Sequence, residues 1–238
     1  MEGVVDIHGL SFRWHAQDPI VLSLDALRIK QGERVFVEGP SGSGKSTLLS
    51  LLAGVSVPQK GEVRVLDKQL DRLPSVQRDH FRADHIGYIF QMFNLIPYLS
   101  MIDNVLLPCR FSNLRQRRAL ERSSSLEAEA QRLLAHLDMA HDDLLHRAVR
   151  ALSVGQQQRV AAARALMGAP ELLIADEPTS ALDTDRREAF ISLLFEECSL
   201  ARSTLVFVSH DTSLEDYFDR TIRLAELNTA ANTQTPVI

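Results

Sequence analysis

This 238-residue chain predicts an α/β fold built on a buried parallel sheet. Two short apolar runs, Leu172-Leu173-Ile174-Ala175 and Thr204-Leu205-Val206-Phe207-Val208, flank a helical stretch from Arg187 to Cys198. Strands without apolar–polar alternation are covered on both faces, which is the pattern of strand–helix–strand units in a parallel sheet. A third short run, Val35-Phe36-Val37, leads into a glycine-rich loop and then a helix-forming stretch, Thr47 to Ala53.

The remaining elements follow in order. Val4 to Leu10 and Ile20 to Ile29 alternate loosely as strands, and Lys30-Gln31-Gly32-Glu33 reads as a turn. Gly54 is placed to end the first helix, and Glu62 to Leu66 alternates as a strand after Gly61. From about Asp103 to Met167 the chain is helix-rich. Arg115 to His136 is dense in Arg, Glu, Leu and Ala, and Ser123-Ser124-Ser125 divides it into two helices because serine favours caps. Its mixed charge reads as a solvated face. Asn228 to Thr235 is polar and reads as a loose tail.

Apolar residues at 45 % and charged residues at 24 % exclude collagen-like and wholly disordered chains. The net charge of −5 argues against a phosphate-neutralising nucleic-acid binder, so no nucleic-acid partner is expected. Cys109 and Cys198 offer neither a disulfide framework nor a Cys-x-x-Cys pair, and read as unpaired thiols of a reducing compartment. No window of about 18 uninterrupted apolar residues exists. Ile86 to Ile102 comes nearest, but Gln91, Asn94 and Pro97 interrupt it. The acidic start, Met1 to Asp6, does not read as a secretory signal. A cytoplasmic chain without direct membrane insertion is expected, any membrane role coming through a partner.

Gly39-Pro40-Ser41-Gly42-Ser43-Gly44-Lys45-Ser46 fits the pattern G-x-x-x-x-G-K-[ST] between a strand and a helix opening with Thr47. Glycines let successive backbone N–H groups converge on an anion, and the helix points its positive end at the same phosphates. Lys45 supplies charge to the β and γ phosphates and the Ser46 hydroxyl ligates Mg²⁺. Glu38, just before the loop, is expected to face a neighbouring strand or solvent. The strand Leu172 to Ala175 ends in Asp176-Glu177. Alternation sends the two side chains apart. Asp176 suits Mg²⁺, and Glu177 suits polarising a water for in-line attack on the γ phosphate. His210 alone reads as a buried, satisfied histidine, and Gln91 alone as a loop amide.

Further motifs carry a resemblance. Leu152-Ser153-Val154-Gly155-Gln156-Gln157-Gln158-Arg159, 108 residues after Lys45 counted to Ser153, resembles the signature sequence of ATP-binding-cassette (ABC) ATPases. Ala175 to Asp183 resembles that family's Walker B segment and D-loop, Val208-Ser209-His210-Asp211 its switch histidine, and Phe90-Gln91 its glutamine lid. The resemblance implies a P-loop NTPase with a RecA-like parallel core sheet, an N-terminal antiparallel β subdomain and an inserted helical signature subdomain near residues 100–165. The ATPase domain would span 1–227, with 228–238 as tail.

The family implies ATP and Mg²⁺ as ligands and a head-to-tail homodimer. In it, ATP on the phosphate loop of one copy is covered by Ser153, Gly155 and Gln156 of the other. Glu177, His210 and Gln91 would serve hydrolysis, Gln91 with Ser46 and Asp176 would hold Mg²⁺, and Asp183 would pass nucleotide state across the interface. Trp14 would stack on adenine, with Phe12 as rival. Valine at 154, where the family carries glycine, requires an ordinary backbone conformation there.

Ile86 to Pro97 followed by Asp103 to Pro108 is especially similar to the ATPase subunits of bacterial lipoprotein-release and macrolide-export systems. That resemblance implies a peripheral subunit on the cytoplasmic face of the inner membrane, driving integral membrane permease subunits. Phe93, Leu95, Ile96, Tyr98 and Leu99 are either a socket for a partner helix or core. A soluble cassette acting on DNA or ribosomes is the alternative. The short spacing to the signature leaves no room for the long coiled coil of chromosome-maintenance cassettes.

Overall fold

The computed structural model describes residues 3–139, 145–180 and 184–230. The chain divides into two compact units, residues 1–82 with 206–238, and residues 83–205.

The first unit begins with an antiparallel sheet. Strands β1 (Gly3–Phe12), β2 (Leu22–Lys30), β4 (Lys60–Val65) and β5 (Lys68–Gln69) lie in the order β2-β1-β4-β5. In β1 and β2 buried and open positions alternate, so one face collects Val5, Ile7, Leu10, Leu22, Leu24 and Ile29. Strand β3 (Arg34–Glu38) is different: Val35, Phe36 and Val37 are all buried. It pairs in parallel with β9 (Arg220–Arg223) and lies beside β8 (Thr204–Val208), whose five residues are all buried. Phe36, Phe207 and Phe218 form an aromatic cluster with centroids 5.1–6.2 Å apart. Helix α1 (Lys45–Leu52) buries Leu48, Leu49, Leu51 and Leu52, and Gly54 at φ 64 ends it. Helix α2 (Ser75–His85) begins in this unit.

In the second unit β6 (Ile86–Ile89) pairs in parallel with β7 (Leu172–Asp176). Around them stand α3 (Met101–Phe111), α4 (Asn113–Arg122), α5 (Leu126–His136), α6 (Val154–Leu166) and α7 (Thr184–Ala201). A last helix, α8 (Leu224–Leu227), follows β9 in the first unit. The hydroxyls of Ser100, Ser112, Ser125 and Ser153, which open α3 to α6, accept from the backbone N–H groups of Asp103, Arg115, Ala128 and Gln156. The serine run thus divides α4 from α5 as its composition predicts. Helix α6 lies so close to β6 that a Cβ on Gly87 would stand 2.4 Å from the Ala165 carbonyl oxygen. Cys109 and Cys198 are buried and in no disulfide, and burial pushes the Cys109 thiol up to about 11.

The tail reading needs correcting at its start. Asn228 is only 3 % exposed and tied to backbone of the first unit, and Ala230 is buried with its N–H on the Asn228 side chain. Asparagine reads as polar surface, but an amide whose donors and acceptor are all matched is stable in a core. Residues 231–238 lie outside the described residues.

Candidate functional site

Strand β3 aims the chain at the phosphate loop, where the glycines set its path. Gly42 has φ 81 and Gly44 φ 101, values that any side chain would strain. Gly44 is the N-cap of α1 and brings no capping side chain, unlike the serines that open α3 to α6. The first N–H groups of α1 are therefore available to an anion. Lys45 is buried, and its Nζ donates to the carbonyls of Gly39 at 2.5 Å and Pro40 at 3.0 Å. An ammonium carries three donors, so one remains for a phosphate oxygen. The buried Ser43 hydroxyl has no partner, a further polar group suited to a ligand. Ser46 is exposed beside the loop. Glu38 turns away, as expected, to pair with Arg223 on β9 at 2.8 Å.

Ser209 at the end of β8 donates its N–H to the Val37 carbonyl of β3 at 3.3 Å. His210 thus leaves the sheet at the edge where β3 hands over to the phosphate loop. The histidine is exposed, which overturns the bland reading of a buried one. A cavity of about 370 Å³ lies beside the loop, lined by Asp18 to Val21, Gly42, Ser43 and Asn228 among others. Of the two aromatics considered for stacking, Phe12 is buried and Trp14 is 53 % exposed, set edge-on to Phe12 at 5.0 Å. Trp14 alone of the two is exposed.

In the second unit, β7 ends at Asp176 and the next residue breaks the strand. Glu177 lies at φ 46, a left-handed conformation rare for a glutamate. Gln91, from the loop after β6, donates through Nε2 to Glu177 Oε2 at 3.4 Å. The structure thus unites these two residues, 86 positions apart. Tyr88 stacks on Phe90 at 4.1 Å, and burial together with the negative Asp176 holds its hydroxyl protonated well above the usual range.

Ser153 opens α6 within a full capping box. Its hydroxyl accepts from the Gln156 N–H at 3.3 Å, and Gln156 Oε1 accepts from the Ser153 N–H at 2.9 Å. In a single copy this helix end therefore caps itself. The N–H groups of Val154 and Gly155 lie outside that box. Val154 takes ordinary helical geometry, as its side chain demands, and its isopropyl group is exposed. A cavity of about 260 Å³ adjoins this end, lined by Ser153, Gly155, Gln156, Arg159, Asp138 and Arg186 among others. Asp183 lies outside the described residues.

The sequence profile described as ABC transporter matches residues 22–180, two thirds of the chain. The chain belongs to the ABC transporter family. It is an ATP-binding subunit of the ATP-hydrolysing cassette type, and the alternative of a DNA- or ribosome-acting cassette is not favoured. The uncharacterized ABC transporter ATP-binding protein YbbA of Escherichia coli K12 is 37 % identical over 225 residues, covering 94 % of this chain and 95 % of its own. The probable syringafactin export ATP-binding/permease protein SyfD of Pseudomonas syringae is 36 % identical over 99 % of this chain, which spans 35 % of that protein. The macrolide export ATP-binding/permease protein MacB of Vibrio parahaemolyticus is 38 % identical over 90 % of this chain and 31 % of its own. Among solved structures, the dimeric post-hydrolysis state of the ATP-binding cassette MJ0796 bound to ADP and Pi superposes with a TM-score of 0.76. It is 32 % identical, over 93 % of this chain and 95 % of that one.

In this ABC ATPase the five apolar residues after the glutamine are not core. Phe93, Leu95, Ile96 and Leu99 are half-buried and Tyr98 is 76 % exposed, with Met92 exposed beside them. Two polar residues that sequence reasoning missed fix this loop. Arg164 on α6 donates to the carbonyls of Phe93 and Asn94, each at 2.7 Å. Fully buried Asn104 on α3 accepts from the Ile96 N–H at 2.8 Å and donates to its carbonyl at 3.1 Å. Their sequence signal is weak, since each is one polar residue in a helix. Among the described residues no cluster of three or more Asp, Glu, His or Cys could hold a metal. Among them too, no helix is long and apolar enough to cross a membrane.

Proposed function

We propose that this ATPase binds Mg²⁺-ATP on residues Gly39 to Thr47 and hydrolyses it between two head-to-tail copies to drive a membrane permease. The uncapped, glycine-led start of α1 carries the reading, because a helix N-terminus without a side-chain cap is completed by an anion. Lys45 would neutralise β and γ phosphate charge and Trp14 would stack on the base. Mg²⁺, which takes few protein oxygens when phosphates supply the rest, suits the oxygens of Ser46, Asp176 and Gln91.

Glu177 is the general base of this reading. The hydrogen bond from Gln91 would orient its carboxylate toward an attacking water. His210 would donate to the γ phosphate and keep Glu177 in place. From the second copy, Ser153 would donate its hydroxyl proton to the phosphate while its oxygen stays in the capping box. Gly155 would add its N–H, Gln156 would hold Ser153, and Asp183 would relay nucleotide state between copies.

The work proposed is export or force transmission across the envelope, of the lipoprotein-release or macrolide-export kind. SyfD and MacB support it, since both names couple an export ATPase to a permease and this chain matches about a third of each. The permease would be a separate chain holding this subunit at the cytoplasmic face of the inner membrane. The loop pinned by Arg164 and Asn104 would be its socket, a rigid backbone presenting apolar side chains.

Lys45→Ala is expected to weaken ATP binding by at least about tenfold, because a charge-assisted phosphate contact is lost. Glu177→Gln is expected to cut turnover by about a hundredfold or more. It should also hold a dimer in Mg²⁺-ATP on size-exclusion chromatography. A Glu177→Gln chain that stays monomeric at saturating ATP contradicts the shared-site reading.

A further inference from the structure

We infer that Asn228, contributed by the end of the chain, is a positioning residue that sets the orientation of the phosphate loop and thereby the affinity for nucleotide. The inference rests on the reading of Gly39 to Thr47 as the ATP site. It goes beyond that reading by bringing in a residue from a stretch whose composition predicts a tail.

The amide of Asn228 is buried and fully engaged. Nδ2 donates to the Ser43 carbonyl at 3.1 Å and to the Val21 carbonyl at 2.9 Å. Oδ1 accepts from the Ser23 N–H at 2.9 Å and from the Ala230 N–H at 3.2 Å. Thr229 adds bonds from its hydroxyl to the Ser23 carbonyl at 3.2 Å and the Ser23 hydroxyl at 2.9 Å. One side chain therefore joins the phosphate loop, the start of β2 and the final segment. The fit is close, since a Cβ on Gly44 would stand 3.6 Å from Asn228 Nδ2 and 3.4 Å from the Val21 carbonyl oxygen.

Peptide geometry explains why this matters to nucleotide. The peptide linking Ser43 to Gly44 is planar and trans, so its C=O and N–H point in opposite directions. Holding the Ser43 carbonyl outward, on Asn228, turns the Gly44 N–H inward, toward the concave side where an anion nest forms. Gly44 at φ 101 has no side chain to hold that plane and gains freedom wherever the carbonyl is released. A loop already oriented loses less entropy when phosphate binds, and the gain appears as affinity. The tie to Val21 places the same amide on the wall of the 370 Å³ cavity beside the loop.

The test uses the full chain with Asn228→Ala, Asn228→Asp and, as reference, Lys45→Ala. ATP affinity is measured by calorimetry, KM and kcat by phosphate release, and unfolding without nucleotide by thermal melt. Asn228→Ala is expected to raise KM for ATP about tenfold with kcat at saturation changed less than about twofold. Asn228→Asp has the same shape and keeps the acceptor for Ser23 but lacks the donor for Ser43, so the same loss is expected. It carries the test should the alanine variant fail to fold. A folded Asn228→Ala chain with unchanged KM and only a lower melting point overturns the proposal, as does wild-type affinity in Asn228→Asp. If Lys45→Ala loses affinity while Asn228→Ala keeps it, the role of Asn228 alone falls. If Lys45→Ala keeps wild-type affinity, the phosphate-loop reading falls first and takes the inference with it.

Discussion

Glu177 holds a backbone conformation that a glutamate disfavours, and it does so at the end of a strand whose other residues are ordinary. A left-handed non-glycine residue costs on the order of 1–2 kcal/mol, and such cost persists where geometry serves a site. The turn at φ 46 replaces the simple alternation expected for Asp176 and Glu177, and it directs the carboxylate to Gln91. Asparagine visits this region readily, so Glu177→Asn is expected to stabilise the chain by about 0.5–1 kcal/mol while abolishing turnover. Denaturant titration beside an ATPase assay decides it, and a destabilised variant would show the backbone is unstrained there. Residues such as Lys45, Gly44 and Glu177 were legible in the sequence because their chemistry is local. Asn104, Arg164 and Asn228 were not, because each acts on backbone that only folding brings near.

At the scale of elements, capping and charge hold the helices of the second unit. Ser125→Ala is expected to cost about 1 kcal/mol, since the Ala128 N–H loses its acceptor at 3.0 Å. Ser124→Ala, away from the cap, should stay within about 0.5 kcal/mol, and equal losses in chemical denaturation would refute the cap. Helices α5 and α7 are joined through Glu197, which is buried and bonded by Arg132 at 2.7 Å and by His136 Nδ1. Burial alone would raise the Glu197 pKa, but Arg132 and His136 outweigh it and lower it. The hydrogen bond to Glu197, with a second to Glu196 at 2.9 Å, raises His136 above its ordinary 6.5.

The sign of the linkage follows from that raised value. Its stabilisation is fully present below about pH 6.5 and is lost as pH rises through the raised folded value. The stability difference between wild type and His136→Gln should therefore shrink with rising pH, and a difference that grows would contradict the pairing. Glu171 behaves in the opposite sense: despite burial, Arg118 and His85 hold it down to about 2, from an ordinary 4.5. Its contribution is present above about pH 4.5 and is lost as pH falls toward 2.

At the scale of the whole molecule, the proposed function needs surfaces that a second copy and a permease would complete. The loop from Met92 to Leu99 presents side chains of which none is fully buried, on a backbone fixed by Arg164 and Asn104. Tyr98→Asp is expected to reduce permease-stimulated ATP turnover several-fold by placing a charge in an apolar contact. Turnover of the reconstituted ATPase–permease complex measures it, and undiminished stimulation would place the partner elsewhere. The sequence by itself did not point to α2, β5, β6 or β9, but it pointed to the phosphate loop, the acidic strand end, the signature and the longer strands. Contiguous motifs and periodic burial encode these, and both are local properties of the chain. Only the tertiary structure decided that the apolar loop is open, that Trp14 is exposed where Phe12 is buried, and that the signature helix caps itself. It alone showed that Asn228 braces the phosphate loop, because a hydrogen bond across 185 residues leaves no periodic trace in the sequence.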